Sequence, residues 1–131
     1  MPYSVEFLAD GGVFAKASGV VTAAEIEAAK ADAVQASGAT GERTYLLVDT
    51  GEATDFGGGA PQIQGIAHSS VRLAPLMFRP GARAAIVAPS DAAFGLARMW
   101  EVYMRGSGLI TRVFRSLADA RIWVVGGDVA D

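Results

Sequence analysis

The stretch Tyr45-Leu46-Leu47-Val48-Asp49 is a run of apolar residues closed by an acid. A strand with one wet face alternates apolar and polar residues. A short run without alternation is the pattern of a strand covered on both faces of a mainly parallel sheet, so this segment is expected at the centre. Ala84 to Ala88, ending at Pro89-Ser90, has the same character and reads as a second buried strand.

Working outward from that centre, Tyr3, Val5 and Phe7 alternate with Ser4 and Glu6, and Asp10-Gly11-Gly12 leads into Val13 to Ser18. This predicts a β-hairpin whose glycines supply positive φ angles. Thr22 followed three positions later by Glu25 is the pattern of a capping box, opening a helix over about 23–36 that Ser37-Gly38 ends. Ile26, Ala29, Ala33 and Val34 form its inward face. After the central strand, Thr50 to Ala60 reads as a glycine-rich loop and Pro61 as the first turn of a helix. The inward stripe of that helix is Ile63, Ile66, Ala67, Ser70, Val71 and Ala74, with Pro75 and Pro80-Gly81 closing it.

Ser90 or Asp91 caps a further helix over roughly 92–105, with Ala93, Leu96, Ala97, Trp100, Tyr103 and Met104 turned inward. Thr111 to Phe114 forms a last strand, and Ser116 with Asp119 opens a short helix through Trp123. The order β, β, α, β, α, β, α, β, α predicts an α/β fold in a single domain, residues 1–131. Its sheet is mixed but mostly parallel, with about five strands starting from an N-terminal hairpin and about four helices.

A chain of 131 residues suits one domain that buries roughly two thirds of its unfolded surface. Cysteine is absent, which removes disulfides, thiolate metal sites and thiol nucleophiles and fits a reducing, cytoplasmic setting. Met1 to Asp10 has no basic leader, and no apolar run approaches the ~18 residues of a membrane span. Net charge is −3; residues 1–60 hold nine acids and three bases, and residues 61–131 five acids and eight bases, all arginine. Those arginines are spaced singly and are not interleaved with exposed aromatics, so a nucleic-acid partner is not expected.

Asp49, Thr50 and Asp55 after the central strand, with Ser90 after the next, fall where open α/β sheets bind ligands, at the carboxyl ends of strands. They are the candidate residues for a small ligand. Glu52 joins Asp49 and Asp55 in an acid cluster that a hard cation could use, although such loop acids ordinarily stay solvated or cap turns. No metal or cofactor is therefore assigned. Gly57-Gly58-Gly59 precedes a helix, but no P-loop lysine follows it. His68, the only histidine, falls opposite the apolar stripe of its helix and reads as a surface residue. Ser69, Ser70 and Ser90 lack a nucleophile-elbow pattern, so no catalytic residue is assigned and the chain is expected not to be an enzyme. Phe94 and Val102 project beside the polar line of their helix, with Met99 on its flank, and form the candidate interface.

The segments Val20-Val21-Thr22-Ala23-Ala24-Glu25, Leu46-Leu47-Val48-Asp49, Ala85-Ile86-Val87-Ala88-Pro89-Ser90, Phe94-Gly95-Leu96-Ala97-Arg98-Met99-Trp100-Glu101, Val113-Phe114-Arg115 and Ala120-Arg121-Ile122-Trp123 together resemble the SpoIIAA-like family, relatives of STAS domains. The resemblance implies a non-catalytic domain related to modules that switch by protein contact or bind small or lipid-like ligands. Its phosphorylatable relatives carry a serine at a helix start after a central strand. The corresponding Asp49 to Pro61 contains no serine and only the hydroxyls of Thr50 and Thr54. The expected function is thus a non-enzymatic interaction or regulatory module, a homodimer or a partner of another protein, with a small-ligand or lipid-like carrier, its pocket at the C-terminal strand ends, as the alternative.

Overall fold

Parallel neighbours cannot be joined by a tight turn, and each such connection in this chain is long enough for a helix. The computed structural model describes residues 3–38, 40–55, 60–127 and 129. Its elements are β1 (Tyr3–Phe7), β2 (Gly12–Val20), α1 (Ala23–Ser37), β3 (Arg43–Asp55), α2 (Ala60–Met77), β4 (Phe78–Val87), α3 (Asp91–Tyr103), β5 (Ile110–Phe114) and α4 (Leu117–Val124). The five strands form one sheet in the order β1-β2-β3-β4-β5, with β1 antiparallel to β2 and the other pairs parallel. Right-handed crossovers between sequential strands put α1, α2 and α3 on one face. There α1 packs on α2 and α2 on α3, while α4 packs on β3, β4 and β5 from the other side.

β3 lies at the centre, as its unbroken apolar run predicts. Its side chains alternate between two cores. Tyr45 and Leu47 join Ala85, Val87, Phe114, Ala120 and Trp123 beneath α4. Leu46 and Val48 face the three-helix side with Ala84, Ile86, Ala97 and Trp100. The caps match their sequence signatures: Glu25 N donates to Thr22 Oγ1 at 3.2 Å, and Thr22 N donates to Glu25 Oε1 at 3.3 Å. Gly38, at φ 76°, closes the same helix, and Ser90 and Ser116 cap α3 and α4.

Four details differ from the sequence expectation. The segment after Asp49 is strand through Asp55, because β2 is long enough to ladder with it: Ser18 pairs with Glu52, Gly19 with Ala53 and Val20 with Asp55. Gly57-Gly58-Gly59 lies outside the described residues. Pro75 sits inside the last turn of α2, and Pro80-Gly81 belongs to β4. Proline is tolerated there because β4 begins to pair with β5 only at Arg83. Tyr103, expected inward, is exposed beside Val102 at the end of α3.

The fourth difference concerns the hairpin. Gly11 has the positive φ, 92°, that the turn requires, whereas Gly12 is the first residue of β2 and is needed for space. A Cβ at Gly12 would lie 2.1 Å from Cζ of Tyr45, whose ring lies against the glycine. The Tyr45 hydroxyl donates to the Asp10 carboxylate, 2.9 Å from Oδ2, and Asp10 Oδ1 accepts from Gly12 N at 3.0 Å. These bonds hold the Asp10 carboxyl below its usual range, and burial together with the carboxylate pushes the Tyr45 phenol up to about 12. Gly12→Ala is expected to cost about 1–3 kcal/mol through overpacking. In a double-mutant cycle, Gly12→Ala combined with Tyr45→Ala should cost less than the sum of the two single changes; an additive result in urea unfolding would contradict this contact.

Candidate functional site

Three helices laid across a sheet fill the space between only if their facing side chains are large. Here the wall between the sheet and α1, α2 and α3 carries alanine at six places: Ala15 and Ala17 on β2, Ala33 on α1, Ala74 on α2, and Ala93 and Ala97 on α3. The result is an apolar cavity of about 150 Å³. Val48 and Ile86 line its sheet side, Ile63 and Leu73 the α2 side, and Trp100 and Met104 the α3 side.

Polar side chains enter this wall at few points. Thr50 is buried, and its Oγ1 donates to the Val87 carbonyl at 2.6 Å, so its polarity is consumed inside the sheet. Tyr3 stands on β1 against the cluster of Ala17, Val21 and Ile26, and burial pushes its phenol up to about 12. Lys30 and Ser70 meet where α1 faces α2. Lys30 Nζ donates to the Ile66 carbonyl at 2.8 Å, to Ser70 Oγ at 2.9 Å and to Ser69 Oγ, and pairs with Glu27 Oε1 at 3.0 Å. Ser69 Oγ in turn donates to Glu27 Oε1 at 2.8 Å. The Lys30 side chain is only 17% exposed. Desolvation is the largest influence on its pKa and lowers it; Glu27 opposes that shift and Arg72 adds to it.

The residues chosen from sequence are distributed differently. Thr50 lines the cavity. Asp49 faces the opposite side of the sheet, as strand alternation dictates, and its Oδ1 accepts from Gly51 N at 2.9 Å. Asp55 is exposed at the end of β3, where its carbonyl accepts from Val21 N at 2.9 Å. Ser90 is exposed and caps α3, accepting from Ala93 N at 3.1 Å. Glu52 pairs with Lys16 at 2.9 Å, and among the described residues no three His, Asp or Glu side chains gather as a metal site. His68 is exposed.

On α3, Phe94 and Met99 pack against the three-helix core, and Arg115 lies 4.1 Å from the Phe94 ring centroid; Val102 is 49% exposed. Lys30 was missed although its signal was present, since four residues after Ile26 and three before Ala33 it falls on the inward stripe of α1.

The tyrosine shift has a measurable consequence. An unfolded phenol ionises near 10, so the stability that neutral Tyr3 contributes is complete below about pH 10 and is lost as pH rises toward the folded value of about 12. Tyr45 acts in the same direction. In urea unfolding followed across this interval, Tyr3→Phe should flatten the alkaline fall of the midpoint; an unchanged slope would contradict the assignment.

No helix among the described residues is long and apolar enough to cross a membrane. No family model matches the chain, and no curated protein matches it. Among solved structures it is similar to an uncharacterised protein of the DUF3478 family with a SpoIIAA-like fold from Shewanella loihica PV-4. The TM-score is 0.61 at 18% identity, over 93% of this chain and 91% of that one. The fold is SpoIIAA-like.

Proposed function

We propose that this SpoIIAA-like domain is a non-enzymatic binding module for a small, largely apolar molecule held between the sheet and the layer formed by α1, α2 and α3. The observation that supports this reading is the cavity. Protein interiors pack with few voids larger than a water molecule. About 150 Å³ of apolar space between the layers forgoes the dispersion contacts that larger side chains would make there. Six alanines sustain that void where leucine or methionine would close it. A bound molecule recovers the lost contacts, and an apolar cavity of about this size takes a guest near the size of benzene.

This site differs from the one expected at the ends of β3 and β4, although it belongs to the same class of function. The contact-module reading draws its support from exposed Val102 and Tyr103 at the end of α3, a smaller feature than the cavity.

Trp100 in the wall provides a reporter. Toluene, indole and 3-phenylpropanol should raise the melting temperature in proportion to the logarithm of their concentration and alter tryptophan emission. Ala97→Leu on α3, or Ala33→Leu on α1, should remove this response while holding or raising the melting temperature of the free protein. The reading fails if none of these compounds shifts melting and if protein purified gently from its host gives only its bare mass by native mass spectrometry.

A further inference from the structure

We infer that the ligand of this cavity is an organic acid, with an apolar body among the alanines and a single carboxylate on Lys30 and Ser70. This inference rests on the binding-module reading above and adds the chemistry of the ligand's polar end. An ammonium placed in an apolar wall is unfavourable unless something negative approaches it. Lys30 Nζ is 2.9 Å from Ser70 Oγ, and both residues line the cavity. Of its neighbours, only Glu27 is anionic, and the Glu27 side chain is 40% exposed and lies outside the lining. The cation Arg72 acts on Lys30 as well. The cavity lining therefore carries the Lys30 cation and no carboxylate of its own, which favours an incoming anion.

The remaining acceptors on Nζ are neutral: the Ile66 carbonyl and the hydroxyls of Ser69 and Ser70. A carboxylate can replace one neutral acceptor and adds the attraction of opposite charges to the hydrogen bond. Ser70 Oγ now donates to the Ile66 carbonyl at 2.8 Å. Turning that hydrogen toward the ligand gives the carboxylate a second donor, and the Ile66 carbonyl keeps its bond from Lys30. The acid's body points away from Lys30 into a space suited to one aromatic ring or a short branched chain.

The test compares 3-phenylpropionate with 3-phenylpropanol, matched in body and differing in charge, by isothermal titration at neutral pH on the full chain and on Lys30→Met. The native protein should bind the acid at least about tenfold more tightly than the alcohol, a difference of about 1.4 kcal/mol. Lys30→Met should abolish that preference while still binding the alcohol, which also shows that the variant is folded. Should Lys30→Met fail to fold, Ser70→Ala serves instead and is expected to reduce the preference several-fold. Equal affinity of the native protein for both probes, or a preference surviving in the variant, overturns the acid assignment and leaves the apolar cavity reading standing. If neither probe binds, the acid assignment is overturned, and the cavity reading is decided by the melting and mass measurements described above.

Discussion

A sheet whose parallel strands follow one another in sequence order leaves its crossovers no choice of side. Each right-handed connection from β2 to β3, β3 to β4 and β4 to β5 delivers its helix to the same face, so three helices share one surface and α4 alone serves the other. The strand period then sorts every residue of β3 into one environment or the other. Leu46, Val48 and Thr50 belong to the crowded face, and Tyr45, Leu47 and Asp49 to the sparse one. The alanine-lined cavity lies on the first, where three separate helices span the sheet and leave their small residues facing a common centre.

That sorting explains what was legible in the sequence and what was not. Element order, capping boxes and the central strand were readable because each depends on neighbours close along the chain. Thr22 and Glu25 need only a first turn, and the run from Tyr45 to Val48 needs only burial on both sides. The ladder after Asp49 was not readable, since it exists through β2, whose end at Val20 lies far back in sequence. Gly12 carried a similar ambiguity: its small size reflects the Tyr45 ring across the sheet, and no turn rule contains that information.

The candidate site was the least legible part. General topology directs attention to the carboxyl ends of strands, where acids and hydroxyls stand in the sequence. The cavity instead consists of alanines, which by composition look like ordinary core residues. What distinguishes it is a volume, and a volume arises from the spacing of α1, α2 and α3, not from any motif. Lys30 offered one clue, because a lysine on an inward helical stripe conflicts with its surroundings, and local conflicts of this kind tend to mark functional positions.

The sparsely covered face shows another use of charge. Arg83 lies over the Trp123 ring, Arg112 over Phe114 and Arg121 over Phe14, with guanidinium carbons 4.8 to 5.4 Å from the ring centroids. Arg83 also donates to the Trp123 carbonyl at 2.8 Å. These planar cations act as roofing over aromatic rings on the α4 side of the sheet. The excess of arginine in the second half of the chain is thereby partly explained as insulation for the sheet, a role in which lysine, lacking a flat face to lay on the rings, is a poor substitute.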